Sequence, residues 1–208
     1  MRVVRSRVTA ALLGALSWTA TEYVLHRFLM HAMRGRGLAS IEHLEHHADI
    51  TYFSPTSKKL ASAAGTTAVA FPVVSAIAGR RWATSFTAGL IGTYFAYEVA
   101  HRRIHTHPPV NRYGRWSRRQ HLHHHFGAPM RTFGVTTPWW DRLLRTDDEP
   151  GTITVPRRMA PAWLLDDNGE VRPELAQDYR VTGRSAERTR PTDADRNAAF
   201  ANLAPQVS

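Results

Sequence analysis

Histidine is the residue whose number and spacing point most directly to chemistry in this sequence. All 12 histidines lie between positions 26 and 125, and most fall into four short motifs, spaced H-x4-H, H-x2-H-H, H-x3-H and H-x2-H-H. The motifs contain His26 and His31; His43, His46 and His47; His101 and His105; and His121, His124 and His125. Neutral imidazole is the commonest side-chain metal ligand in proteins. The motifs therefore predict a buried polyhistidine metal centre.

The spacing within the motifs indicates how the side chains would meet on helices. Two motifs place histidines at positions i, i+3 and i+4, which share one face of a helix, so we expect each of these triads to converge on one point. His101 and His105 lie one turn apart. His26 and His31 do not share a face of a straight α-helix, and we place them where the first apolar run ends.

The number of motif histidines indicates two metal ions. Ten imidazoles are too many for one tetrahedral ion, so we expect two ions with positions left open for oxygen or water. An all-nitrogen ligand set suits iron, zinc, copper or nickel, and paired catalytic ions lie roughly 3.5–4 Å apart. His107 and His123 fall outside the repeated spacing, and we expect them behind the ligands or at the surface.

Two carboxylates stand close to the motifs within apolar sequence. Glu22 precedes His26 by four residues, and Glu98 precedes His101 by three. An ionisable group inside an apolar run is costly to keep there and suggests a function. Ligating imidazoles generally donate their other N–H to a carboxylate or a carbonyl. We therefore expect Glu22 and Glu98 to accept hydrogen bonds from ligating imidazoles at the catalytic site.

The histidines are attached to long apolar runs at about residues 8–25, 60–79 and 82–100. Each run is about as long as a membrane-spanning helix, so we expect an all-α integral membrane protein whose second and third runs form a hairpin. Basic residues follow runs one and three beside the histidines, which makes that side cytoplasmic. The basic N-terminus would then lie opposite, against the same rule, which leaves the topology of run one open. Soluble core helices and a signal sequence are the alternatives.

Composition excludes several classes of protein. The chain carries 27 Lys+Arg against 17 Asp+Glu, a net charge of +10, and no cysteine. It therefore has no thiolate-bound zinc or iron–sulfur cluster and no cysteine nucleophile. A nucleic-acid binder needs a soluble basic face, so the apolar runs lead us to expect no nucleic-acid partner. Residues 147–208 are polar and aperiodic, and we expect them to form a flexible C-terminal tail.

The four motifs in this order resemble those of the fatty acid hydroxylase and sterol desaturase superfamily. The matching stretches are EYVLHRFLMH at 22–31, HLEHH at 43–47, HRRIH at 101–105 and RRQHLHHHFGAPMRTFGVTTPWWDRLLRT at 118–146. The order is similar to that of fatty acid 2-hydroxylases, and FGVTTPWWDRLLRT is similar to the ending that follows their last motif. The resemblance covers about residues 10–146, and four motifs in order are far more specific than any one of them.

The resemblance implies a membrane-embedded domain over residues 1–146, with a cytoplasmic helical cap that holds a dinuclear metal site. Carried over motif by motif, the ligands are His26, His31, His43, His46, His47, His101, His105, His121, His124 and His125. The implied reaction is O2-dependent hydroxylation of a lipid alkyl chain at two iron ions, with zinc as the alternative metal. The implied electron donor is a separate cytochrome b5-type protein, or a ferredoxin with its reductase. The lack of a glycine-rich nucleotide fingerprint agrees with an external donor.

Three other functions stay open. The compact size and the first two motifs are also similar to carotenoid ring hydroxylases, although the third motif and the ending differ. Desaturation of a sterol or another lipid is the second alternative. The third is a membrane metal-binding protein without catalysis, which ligands arranged along a path across the membrane would favour over a closed, inward-facing cluster.

Overall fold

The computed structural model describes residues 2–183 and 190–205 and is mostly helical. The α-helices are α1 (Arg2–Val24), α2 (Leu38–Ala48), α3 (Thr56–Ala78), α4 (Arg80–Thr106), α5 (Arg112–Phe126), α6 (Trp139–Leu143) and α7 (Asp193–Phe200). A π-helical segment, Leu25–His31, continues α1. The strands β1 (Ile153–Pro156) and β2 (Tyr179–Thr182) form a parallel pair. The expected helical fold therefore holds for most of the chain, with this small sheet as an addition.

The chain divides into two compact units. The first comprises Met1–Glu22 and Ser54–Ala100, and the second comprises Tyr23–Phe53 and His101–Ser208. The first unit thus contains most of α1, all of α3 and most of α4. All motif histidines belong to the second unit, together with α2, α5, α6, α7 and the sheet.

In the first unit, α1 and α4 cross with their backbones almost in contact. A Cβ atom on Gly14 would lie 2.0 Å from the carbonyl oxygen of Phe86, and one on Gly89 would lie 2.0 Å from that of Ala11. Any larger residue at either position would force the helices apart. Close crossings through small residues are common between membrane helices, which gain stability from packing rather than from the hydrophobic effect.

Two helices of the described chain are long and apolar enough to cross a membrane, namely Ser6–His31 and Thr56–Ala78. They correspond to the first two predicted spans. The third predicted span forms the middle of α4, where tyrosines, threonines and Glu98 lower the hydropathy, and α4 is not among the candidates in the described chain. On α3, apolar side chains point outward, with Ile77 81% exposed.

The second unit has a hydrophobic core that joins α5 to the segment following residue 150. Its buried members are Ile50, Leu122, Phe126, Ile153, Val155, Met159, Ala160, Trp163, Leu164, Leu175 and Tyr179. The parallel strands pair in register from Ile153 with Tyr179 to Pro156 with Thr182. Three 3-10 turns, Arg157–Met159, Ala162–Leu164 and Pro173–Leu175, lie between the strands. The core thus lies directly behind the helix that carries the last histidine motif.

The C-terminal segment differs from the flexible tail that the sequence led us to expect. Residues 150–183 and 190–205 form both strands, the 3-10 turns and α7, and they supply most of the core. Their apolar residues are too irregularly spaced to give a helix or strand period. The apolar residues between Ile153 and Tyr179 form regular structure because they pack against Leu122 and Phe126 of α5, which are distant in sequence.

Candidate metal centre

The structure brings all ten motif histidines together in two groups of five. Site A comprises His26, His31, His43, His47 and His124; site B comprises His46, His101, His105, His121 and His125. Within each site, one nitrogen atom from every member lies within 4.8 Å of those of the others. All members are buried except His101, which is half-buried.

Our expectation that each triad converges on one point is wrong. On α2, His43 and His47 belong to site A, whereas His46 belongs to site B. On α5 the division is reversed, with His124 alone in site A. Successive residues of an α-helix are rotated by about 100°, so positions i+3 and i+4 diverge enough to face two neighbouring centres. Each of these helices therefore contributes to both sites.

The two sites are built to one plan. Site A receives the i, i+4 pair His43 and His47 from α2 and the single His124 from α5. Site B receives the i, i+4 pair His121 and His125 from α5 and the single His46 from α2. Each site also receives a second pair of histidines that follows an apolar run. This further pair is His26 and His31 in site A, and His101 and His105 in site B. The ring of His47 in site A stacks on that of His125 in site B, with centroids 4.1 Å apart and planes inclined by 13°. The two sites therefore abut.

His26 and His31 meet because the helix changes its hydrogen-bonding pattern. Leu25–His31 is π-helical, and the N–H of Ala32 donates to the carbonyl of Arg27, five residues earlier, at 3.1 Å. Residues five apart lie nearly one turn apart in a π-helix, which is rare and frequently marks functional sites. The two imidazole centroids are 5.1 Å apart. An H-x4-H motif thus brings two imidazoles together on one continuous helix.

The nitrogen atoms of site A are spaced as neighbouring ligands of one ion. The Nε2 atom of His43 lies 3.0 Å from that of His26 and 2.9 Å from that of His31. The Nε2 atom of His31 lies 3.0 Å from that of His124. Imidazole nitrogens bind metals at about 2.1 Å, so two that subtend a right angle lie about 3 Å apart.

Site B has the same spacing. The Nε2 atom of His46 lies 3.1 Å from those of His101 and His105. The Nε2 atom of His121 lies 3.0 Å from that of His101 and 2.8 Å from that of His105. Four nitrogens thus form a closed ring of near contacts, as expected when they point at a common centre.

The electrostatics of both sites fit a metal. Burial, and then the neighbouring imidazoles, hold the pKa values of His43, His47 and His121 well below the ordinary histidine value. These rings are therefore neutral at pH 7, with lone pairs free to bind a cation. A neutral imidazole has one N–H and one lone pair, so hydrogen bonds cannot satisfy so many converging nitrogens. The buried Nε2 of His47 has no hydrogen-bond partner in the described residues, as a metal ligand requires.

The loop between α5 and α6 orients two histidines of site A. Nδ1 of His26 lies 2.5 Å from the carbonyl oxygen of Phe133, and Nδ1 of His124 lies 2.7 Å from that of Arg131. A carbonyl only accepts, so Nδ1 carries the proton in both rings and Nε2 keeps the lone pair that faces the site. Such outer hydrogen bonds fix the tautomer and the orientation of a ligand.

Two further residues accept the Nδ1 proton of a site histidine, and no sequence pattern marks either of them. Nδ1 of His46 donates to the carbonyl of Tyr52 at 2.7 Å, and Nδ1 of His31 donates to Oδ1 of Asn202 at 2.8 Å. Tyr52 is close to the second motif, but its acceptor is a backbone carbonyl, which every residue type has, so the sequence cannot identify it. Asn202 lies 171 residues from His31 in the sequence, so no local pattern connects them.

The residues expected to support the ligands are placed as follows. Glu22 is 3% exposed, and the Glu98 carboxylate forms an ion pair with Lys59 inside the first unit. Their expected contact with ligating imidazoles stays a prediction. His107 is exposed, and His123 contacts an exposed aspartate at 2.9 Å; neither belongs to site A or site B.

Comparisons with known proteins point to one family. The profile of the fatty acid hydroxylase family matches residues 11–146. A dihydroceramide fatty acyl 2-hydroxylase of Arabidopsis thaliana is 30% identical over 152 residues, which are 67% of this chain and 60% of that protein. The fatty acid 2-hydroxylase of Rattus norvegicus is 29% identical over 64% of this chain and 38% of its own length.

One solved structure is also similar. It is described as full-length scs7p with only the hydroxylase domain visible, and it aligns with a TM-score of 0.55 and 27% identity over 71% of this chain and 63% of its own. The chain spans 58% and 60% of the length of two Arabidopsis relatives. The matched residues include every histidine of sites A and B. This chain is a member of the fatty acid hydroxylase family.

Proposed function

We propose that this chain hydroxylates the alkyl chain of a membrane lipid with O2, at a centre of two metal ions held by site A and site B. The observation that carries the proposal is the pair of abutting sites, each with five histidine nitrogens aimed inward. Membership of this chain in the fatty acid hydroxylase family supports the same chemistry, since relatives are named as hydroxylases of fatty acids or ceramides.

We propose iron as the working metal. Nitrogen ligands accept both iron and zinc, but zinc is not redox-active. Bound iron would supply the activation of O2, and the protein supplies the ligands, their orientation and a water-poor setting. Insertion of one oxygen atom into a C–H bond, with the other leaving as water, consumes two electrons and two protons. The donor is a separate protein, of the cytochrome b5 type or a ferredoxin with its reductase.

The part played by this chain's own residues is preorganisation. The low pKa values that burial gives the histidines keep their lone pairs available without prior loss of a proton. Three of the rings are held in place without a metal, because backbone carbonyls accept their Nδ1 protons. The carbonyls of Phe133, Arg131 and Tyr52 hold the rings of His26, His124 and His46, respectively. Ligands that need no reorganisation bind a metal more tightly and hold its open positions in a defined direction.

The substrate we propose is the acyl chain of a ceramide-like lipid, hydroxylated at carbon 2, beside the carbonyl. This proposal rests on the names of the relatives, which are dihydroceramide fatty acyl 2-hydroxylases and fatty acid 2-hydroxylases. Desaturation and carotenoid ring hydroxylation are the alternatives for the same centre.

We further propose that the chain is an integral membrane protein with its metal centre at the cytoplasmic face. The apolar helices Ser6–His31 and Thr56–Ala78 and the outward-facing Ile77 support insertion in a bilayer. The arginine-rich sequence around the third and fourth motifs supports the cytoplasmic side. A membrane position would also give the site direct access to lipid chains.

Expression in a host with a cytochrome b5 and its reductase tests the function. Mass spectrometry of the lipids should detect acyl chains that have gained one oxygen atom, and fragmentation should locate it at carbon 2. His124→Ala, which removes a site A histidine, and His46→Ala, which removes one from site B, should abolish the product. The matched control is His107→Ala, an exposed histidine outside both sites, which should retain it.

Other results of this experiment would contradict the proposal in distinct ways. Acyl chains that lose two hydrogens would identify a desaturase. A chain that binds metal but leaves every lipid unchanged in the presence of the donor would favour a metal-binding protein. Full product from His46→Ala or His124→Ala would exclude sites A and B as the catalytic centre.

A further inference from the structure

Asn202 stands just beyond the last helix and far outside the matched family region, which ends at residue 146. It follows α7 by two residues and adopts a left-handed backbone with φ of 59°. Its side chain is buried, with the residue 8% exposed. Asparagine is a common residue at such helix ends because it tolerates this conformation. Helix termination accounts for the backbone of Asn202, but not for its buried side chain.

The side-chain amide of Asn202 makes two hydrogen bonds with one residue, His31. Its Oδ1 accepts from Nδ1 of His31 at 2.8 Å, and its Nδ2 donates to the His31 carbonyl at 3.1 Å. The carbonyl can only accept, so the orientation of the amide is determined. Oδ1 must then receive the imidazole proton, and Nε2 of His31 is left with its lone pair toward His43 and His124 in site A.

Helix α7 is held in place at several points within the second unit. At its start, Thr192 and Asp195 form a reciprocal capping box, and Asp195 also pairs with Arg158. On the side facing α2, Arg196 forms an ion pair with Glu45 at 3.2 Å. The helix therefore contacts the element that carries the second histidine motif.

The end of α7 is also fitted to the chain that leaves the π-helical segment. The ring of Phe200 lies against Gly35, where a Cβ atom would be only 2.7 Å from two ring carbons. Gly35 has φ of 81°, so both the backbone conformation and the close approach require glycine. The segment that follows His31 and the end of α7 are thus packed directly on each other.

We propose that Asn202 is a positioning residue for site A, through which the C-terminal segment controls the binding of one of the two metals. The amide sets the tautomer and direction of the His31 ring, and α7 carries the amide to its place. Aspartate could accept from the ring but not donate to the carbonyl, and glycine could adopt the backbone but do neither. This inference rests on the proposed two-metal centre.

Zn²⁺ titration of the purified, metal-free full chain in detergent tests the proposal. The wild-type chain should bind two ions. Asn202→Gly keeps the left-handed backbone and removes the amide, so one ion should bind about 10–100-fold more weakly while the other is unaffected. Asn202→Asp keeps an acceptor for Nδ1 of His31, so most of the Zn²⁺ affinity lost in Asn202→Gly should be retained in this variant. Asn197→Ala, at an exposed asparagine of the same helix, is the matched control and should behave as wild type.

Thermal unfolding of the metal-free chains separates positioning from simple packing. The two lost hydrogen bonds should lower the metal-free melting temperature of Asn202→Gly, but only positioning predicts that this variant also gains less stability than wild type on adding Zn²⁺. If Asn202→Gly bound two ions as tightly as wild type, the role of Asn202 would be overturned. If instead both ions bound equally more weakly and the metal-free melting temperature fell, Asn202 would serve only packing. A wild-type chain that binds no Zn²⁺ would instead overturn the metal centre itself, and this proposal with it.

Discussion

The carboxylate of Asp141 accepts a hydrogen bond from the N–H of Phe133 at 2.8 Å. The carbonyl of Phe133 in turn accepts from Nδ1 of His26 at 2.5 Å. Asp141 also accepts from the N–H of Gly134 at 2.7 Å and from the hydroxyl of Thr146 at 2.8 Å. Asp141 is 2% exposed. One buried carboxylate therefore holds the loop whose carbonyl orients a ligand of site A.

Replacing Asp141 with asparagine should weaken metal binding at site A. The amide would place its NH2 group against a backbone N–H or the Thr146 hydroxyl, and the buried groups left without an acceptor cost about 1–3 kcal/mol each. Disturbing an outer-shell partner typically costs about 10–100-fold in metal affinity. Zn²⁺ titration of the purified chain measures this. Asp147→Asn, at the exposed neighbouring aspartate, is the control, and equal affinities in the two variants would contradict the prediction.

The division of the three α2 histidines between two sites predicts that neighbouring histidines bind different metal ions. His43→Ala should remove the ion from site A, and His46→Ala should remove the ion from site B. Each single variant should therefore hold one ion, and the double variant should hold none. Metal counting by elemental mass spectrometry checks this, with His107→Ala as control. If the double variant still retained one ion, both histidines would belong to a single site.

The close crossing of α1 and α4 predicts that Gly89 cannot be enlarged. A methyl group there would meet the Ala11 carbonyl at 2.0 Å, so Gly89→Ala should destabilise the protein by about 1–3 kcal/mol through overpacking. Gly92→Ala is the matched control on the same helix, because a Cβ there has no neighbour within 4 Å. The control should be neutral or stabilising by up to about 1 kcal/mol. Thermal unfolding in detergent distinguishes them, and equal melting temperatures would rule out the crossing.

The ordered C-terminal segment predicts that its apolar residues carry stability. Leu164 is 0% exposed, so Leu164→Ala should cost about 2–5 kcal/mol, whereas Leu203→Ala, at a residue 56% exposed, should cost little. A flexible tail would make both substitutions neutral. For the same reason truncation after residue 150 should expose Leu122 and Phe126 and abolish folding. Unfolding curves and recovery of soluble chain in detergent measure both effects.

The sequence by itself indicated a metal centre and the helical segments that carry its histidines. The spacing of the ten histidines indicated a metal centre, and the order of their motifs indicated the family. The apolar runs at 8–25 and 60–79 predicted α1 and α3. These features are readable because a helix repeats every 3.6 residues, so local spacing determines which side chains share a face.

Local spacing could not determine how the ligands are shared. Whether His46 joins His43 or turns to the other site depends on where α4 and α5 place their own histidines around it. The π-helical segment that unites His26 with His31 likewise cannot be read from an α-helical period. Both are decided by the packing of helices that are far apart in sequence.

Only the tertiary structure decided what holds the ligands. The acceptors for the imidazole protons of site A are the carbonyls of Arg131 and Phe133 and the amide of Asn202. Backbone carbonyls are present at every residue, so no residue type marks the ones that matter. Asn202 is brought to His31 by α7, which contacts Glu45 of α2 and Gly35, both more than 150 residues away in sequence. The apolar residues after residue 150 have no regular period, and their burial against α5 is decided only by the tertiary structure.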